Sequence, residues 1–276
     1  MKKLTSILLV LSLCTSLYGC SRMGTNIYNG LNNKRLETKS TGLDNTCINW
    51  FFIPNNESRT PDINDKLNFE LSDYDAIYNG PKSPNVKSLY LTFDEGYEKG
   101  YTGAILDTLK ELKIPAAFFV VKPYIDSEPE LIKRMVDEGH LVCNHSNHHP
   151  SMASITDPEK FKKELTDVEA AFKELTGKDM PKYFRPPMGK YSKKSLEMTK
   201  ALGYKSIFWS FAYKDWLVDD QPSESFAIEK IKKGAHPGGI LLLHAVSNTN
   251  TKVMKQVLSD LQAEGYVFKS LDELPE

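Results

Sequence analysis

Beyond residue 86 the chain alternates between two kinds of pattern. Short apolar or aromatic runs occupy 88–93 (SLYLTF), 116–121 (AAFFVV), 141–145 (LVCNH), 206–211 (SIFWSF), 240–245 (ILLLHA) and 266–271 (YVFKSL), with a weaker one at 182–186. Runs of this length bounded by turn formers predict buried strands. Between them lie helical spacings: Ile105, Leu109 and Leu112 share one face of 102–113, and Val253, Val257 and Leu261 share one of 251–263. Gly139, Gly177, Gly203 and Gly265 stand where these helices should stop, because glycine takes the left-handed cap conformation cheaply. Alternating strands and helices place parallel strands inside and helices outside. The expectation is an α/β domain over 86–276, with about seven strands in a barrel or a barrel-like open sheet.

Upstream the pattern dissolves. Residues 49–85 scatter Trp50, Phe51, Phe52, Phe69, Tyr74 and Tyr78 among turn formers. So many rings in water would be unfavourable, so this stretch reads as an N-terminal extension packed on the domain. Residues 21–48, rich in Asn, Thr, Lys and Gly, read as a linker. Residues 1–20 start with Met1-Lys2-Lys3, continue as an uncharged apolar run from Leu4 to Leu17, and end in Gly19-Cys20. That is the shape of a secretory signal, with Cys20 placed as a lipoprotein cysteine would be. Lipidation at Cys20 and retention as an uncleaved anchor are both consistent with it. Either places the domain outside the cytoplasm, secreted or tethered to a membrane.

Composition narrows the partners. With 35 basic and 36 acidic residues the chain offers no electrostatic footprint for nucleic acid. Beyond the signal only Cys47 and Cys143 remain, which is no disulfide framework; pairing and two free thiols both stay open.

In barrels and open α/β sheets, active sites gather at the C-terminal ends of the strands. Asp94-Glu95-Gly96 follows the first run, and His145 to His149 end the third. Arg185-Pro186-Pro187-Met188-Gly189 follows the weak run, Asp215-Trp216 the fifth strand, and His244 ends the next. Four of the six histidines thus fall on one rim. Adjacent carboxylates on an extended backbone face opposite sides, so one can ligate a metal while the other addresses a bound water. His145 and His149, four apart, would share a face of one helical turn and could share a metal. A carboxylate and two histidines leave positions open for water and substrate. His244 carries a group that Asp215 could tune for proton donation, whereas His140 and His236, at helix ends beside Gly139 and Pro237, read as structural.

These residues resemble a known family. TFDEG (92–96), HSNHH (145–149), RPPMG (185–189), DW (215–216) and LLH (242–244) are similar, in order, to the five motifs of the polysaccharide deacetylases, carbohydrate esterase family four with the NodB-homology domain. Tyr90 to Asp94 with Gly96 to Thr102, Leu131 to Val136, Phe208 to Ser210, Ala235 to Gly238 and Tyr266 to Asp272 resemble the subgroup of delta-lactam-biosynthetic de-N-acetylases. The resemblance implies a distorted (β/α) barrel. It implies removal of N-acetyl from muramic acid residues of peptidoglycan that an amidase has stripped of stem peptide, on the way to the muramic-δ-lactam of spore cortex. In residue terms it implies Asp94 as general base, His244 as general acid, Arg185 orienting Asp94 and Asp215 tuning His244. It further implies Glu95, His145 and His149 as ligands of a divalent metal, zinc foremost, and Tyr97, Pro187 and Trp216 as substrate contacts. Glu95 stands where the wider family has aspartate, and Met188 replaces a bulkier residue of the third motif. Rival readings are a GlcNAc deacetylase of peptidoglycan or chitin-like glycan, a glycan-binding protein without catalysis, and a glycoside hydrolase pairing Asp94 with Asp215 or Glu95.

Overall fold

The fold grows from one parity rule. In the computed structural model, which describes residues 39–55, 57–64, 67–83 and 86–274, strand β2 spans Lys87–Glu95 and is buried along nearly its whole length. Side chains alternate sides along a strand. Leu89, Leu91 and Phe93 pack into the large outer core with Ile105, Leu106 and Leu109 of helix α1 (Thr102–Leu112). Tyr90, on the opposite face, joins Ala117, Phe119, Cys143, Ile207 and Ile240 in a second, inner cluster.

The same alternation repeats in β3 (Ala116–Val120), β4 (Leu141–Asn144), β5 (Tyr183–Phe184), β6 (Lys205–Ile207) and β7 (Gly239–His244). With β8 (Tyr266–Phe268), these are the seven runs that the sequence pattern marks. An eighth strand, β1 (Ala76–Ile77), comes from the aromatic extension and pairs with β6. The order across the sheet is β7-β2-β3-β4-β5-β6-β1, with β8 beside β2, and every pair is parallel.

The run at 206–211 leaves the ladder after Ile207, and its tail turns back on the far edge. Ser210 and Phe211 donate N–H bonds to the Ile240 carbonyl at 3.0 and 3.2 Å, and Leu242 N–H donates to Phe211 O at 2.8 Å. The sheet therefore curls into the expected distorted barrel. Outside it stand α2 (Lys122–Ser127), α3 (Pro129–Asp137), α4 (Pro158–Thr176), α5 (Lys193–Ala201), α6 (Glu224–Gly234) and α7 (Asn248–Ala263). Gly139, Gly177, Gly203 and Gly265 all adopt positive φ at the ends of helices.

The extension is more firmly docked than a linker boundary at 48 implies. Asn45 donates to Ala153 O at 2.8 Å and accepts from Ser192 Oγ at 2.7 Å, and Ile48–Asn49 pairs with Lys190–Tyr191. Trp50 is buried, stacking on Phe208 with ring centroids 4.5 Å apart. Packing on the domain therefore already includes Asp44, whose carbonyl accepts from Lys194 N–H. The expected signal and most of the linker lie outside the described residues.

Candidate active site

Parity and register together build the centre of the site. Continuing the inner row Tyr90–Thr92 brings Asp94 to the inside of the barrel, and His244 is its register partner on β7. Arg185 follows β5 and is fully buried. Its guanidinium lies over the Phe119 ring at 4.1 Å, donates from Nε to Ile207 O at 3.1 Å, and from Nη1 to Asp94 Oδ1 at 2.8 Å. Burial raises the Asp94 pKa, but Arg185, with His145 and His244, outweighs it and holds the carboxyl below the usual carboxylate range.

His145 ends the β4 segment with its Nδ1 2.9 Å from the Arg185 carbonyl. A carbonyl can only accept, so Nδ1 carries the proton and Nε2 keeps its lone pair. That Nε2 lies 3.5 Å from Asp94 Oδ2. Burial depresses the imidazole pKa to about 4. His149 comes beside it by a route other than a helical turn. Ser146 and His149 both take positive φ, and the Ser146 hydroxyl accepts the His149 N–H at 2.9 Å, closing a tight loop. The two rings stand edge to face, 4.8 Å apart.

On the other side of Asp94, His244 Nδ1 bonds Asp215 Oδ1 at 2.7 Å. Asp215 Oδ2 accepts the His244 backbone N–H at 2.9 Å and Asn250 Nδ2 at 2.6 Å. Burial opposes the imidazolium, yet the Asp215 charge and hydrogen bond, helped by Asp94, raise the His244 pKa above its ordinary value. Asn250 is a positioning residue that the sequence did not signal; its place just after Ser247, which caps α7 through the Asn250 N–H, is the cue that was available.

Asp94, His145, His149 and His244 border one cavity of about 720 Å³. Tyr97, Met188, Trp209, Tyr213, Lys214 and Trp216 line it too, and Trp216 tilts against the His244 ring at 5.5 Å. Tyr97 and Trp216 are therefore where substrate contacts were expected. Pro187 is not: it is buried, and the left-handed backbone at Met188 (φ 58°) leaves that methionine at the cavity in its place. His140 accepts the Ala116 N–H and His236 bonds Gly234 O and Asn79 Oδ1, both structural as expected. Cys47 is exposed and Cys143 buried, and both are free thiols.

Residues 82–207 match the polysaccharide deacetylase family. The chain is 41% identical over 236 residues, 86% of its length and 89% of the relative's, to the peptidoglycan-N-acetylmuramic acid deacetylase PdaA of Bacillus subtilis. The chain belongs to the polysaccharide deacetylase family. The solved structure of Bacillus subtilis PdaA, a family 4 carbohydrate esterase, superposes with a TM-score of 0.80 at 42% identity, covering 84% of this chain and 98% of that one. A more distant relative, the peptidoglycan-N-acetylglucosamine deacetylase PgdA of Listeria monocytogenes, is 33% identical over 194 residues, 70% of this chain and 40% of PgdA.

Deacetylases of this family are metal-dependent, and the donors here fit a metal in part. His145 offers a free Nε2 lone pair and His149 shares its cavity, so two imidazole donors stand where a divalent ion could bind, with Asp94 beside them free to act as base. Glu95, expected as the third ligand, is not placed with them. Parity sends it into the outer row behind Phe93; it is fully buried, does not border the cavity, and neither oxygen has a hydrogen-bond partner. Burial, with the charges of Glu98 and Asp94, raises its pKa well above the carboxylate range. Among the described residues no three His, Cys, Asp or Glu side chains form a complete metal cage.

Proposed function

We propose that this deacetylase removes the N-acetyl group from N-acetylmuramic acid residues of peptidoglycan strands whose stem peptide an amidase has already cleaved. The observation that carries the reading is that Asp94 and His244, register partners on neighbouring strands, border one sugar-sized cavity with Tyr97, Trp209, Tyr213 and Trp216. Similarity to PdaA over most of both chains supports the muramic acid substrate.

A metal bound at His145 and His149, zinc by the borderline softness of its donors, would polarise the acetamide carbonyl. Asp94, kept ionised by Arg185, accepts a proton from the attacking water. Gly96 and Tyr97, which follow Glu95 at the end of β2, border the cavity near Asp94, so their backbone amides are the candidates to hold the developing oxyanion. His244, held by Asp215 and Asn250, delivers a proton to the departing amine nitrogen, without which an amide nitrogen leaves poorly. The freed amine can then close on the lactyl carboxyl to give the muramic-δ-lactam of spore cortex. An extracytoplasmic location, with the domain tethered through the segment around Cys20, suits a wall substrate.

A glycoside hydrolase is disfavoured by the same geometry. Glu95 is turned outward, and both oxygens of buried Asp215 are engaged by His244 and Asn250. Similarity to PgdA keeps GlcNAc as the second reading. Acetate release decides between them: amidase-treated strands should be turned over well, and intact strands or chitooligosaccharides poorly. Faster release from chitooligosaccharides would favour the GlcNAc reading.

A further inference from the structure

The cavity described above is lined by the rings of Tyr97, Trp209, Tyr213 and Trp216 together with Asp94 and the imidazoles of His145, His149 and His244. Among the residues that line it, Lys214 alone brings a permanent positive charge. Arg185, the other cation near the centre, is fully buried and committed to Asp94 and Ile207 O. Lys214 sits one residue before Asp215 and one after Tyr213, so the segment that orients the proton donor also places this lysine at the cavity. Its ion pair is loose: Asp220 Oδ2 stands 3.4 Å away, and both side chains are more than half exposed. An exposed pair of this kind is held by little energy and exchanges readily for another anion.

Muramic acid differs from glucosamine by a lactyl ether, and the removal of stem peptide leaves that lactyl group with a free carboxylate. We propose that Lys214 is the specificity-determining residue of this site, exchanging Asp220 for the lactyl carboxylate of the bound muramic acid. The proposal rests on the muramic acid reading above. It explains how the site can require stem-peptide removal: a lactyl group still in amide linkage to peptide offers the ammonium no charge. A sugar without the lactyl group leaves Lys214 on Asp220, while the aromatic walls hold the ring alike in both cases.

The test compares kcat/KM for amidase-treated glycan with that for the same glycan after methyl esterification of the lactyl carboxyl. Wild-type protein should prefer the acid, and added salt should reduce the preference. Lys214→Ala should lower the acid-to-ester ratio on the order of fivefold, the size of one exposed charge pair. The loss should lie in KM for the acid. Lys214→Arg should restore the preference, and Asp220→Asn, which frees the ammonium, should increase it. If Lys214→Ala lowers turnover of acid and ester equally, the lysine only shapes the 213–220 segment and the proposal is overturned. An unchanged ratio overturns it as well. Wild-type protein that releases acetate from chitooligosaccharide but from neither muramic acid substrate would remove the proposed function itself, an outcome distinct from the failure of Lys214 alone.

Discussion

At the scale of single residues, the site is two acid–base systems that share one cavity. Asp94 is stabilised as a carboxylate by a guanidinium that has no exposure to water, while His244 is stabilised as an imidazolium by a carboxylate equally buried. The signs fix the pH profile. Asp94 works only when ionised, so activity falls as pH drops through its lowered pKa. His244 works only when protonated, so activity falls as pH rises through its raised pKa. Asp215→Asn removes the charge that raises the His244 pKa. In that variant the basic limb of kcat/KM should move to lower pH, while thermal unfolding shows whether the protein remains folded. A basic limb that stays in place would reassign the proton donor. Asp94→Asn keeps an oxygen for Arg185 but cannot take a proton, so kcat should fall by about 10²–10⁴. Much of this was legible from motif residues placed after strands. Asn250 and Trp209 were not, because both sit in apolar or helical patterns where nothing in spacing separates a cavity residue from a packing one.

At the scale of elements, strand parity explains both the success and the failure of the sequence reading. Side-chain alternation correctly separates Asp94 from Glu95, yet assigning Glu95 to the metal required both to reach one centre, and β2 stays extended through Glu95. The helical turn expected at 145–149 is instead a loop with two left-handed residues, which spacing alone cannot reveal. The aromatic extension supports the site from behind. Trp50 Nε1 donates to Trp209 O at 3.0 Å. A Cβ on Gly189, whose φ is 62°, would stand 2.9 Å from both Trp209 Cη2 and Trp50 Cβ. Trp50→Ala should therefore cost about 3–5 kcal/mol of stability in chemical denaturation and raise KM, because Trp209 forms a cavity wall. A stable variant with unchanged KM would show that the extension is only a cover.

At the scale of the whole molecule, seven apolar runs were enough to place the barrel, since β2, β3 and β7 are buried on both sides and so carry a strong signal. The strand Ala76–Ile77 escaped notice because two residues on a sheet edge carry almost none. The curl that closes the sheet through Phe211 and Leu241 brings the Asp215 segment against His244, so fold and mechanism depend on the same contact. Residue, element and barrel meet in one proposed activity, the removal of acetyl groups from stem-peptide-free muramic acid. Mass spectrometry of amidase-treated glycan strands incubated with the purified protein tests it most directly. Muramic acid residues should lose one acetyl group at unchanged chain length and then water as the lactam closes, and neither change should occur with Asp94→Asn. Acetyl loss confined to glucosamine residues, or shortened chains, would contradict it.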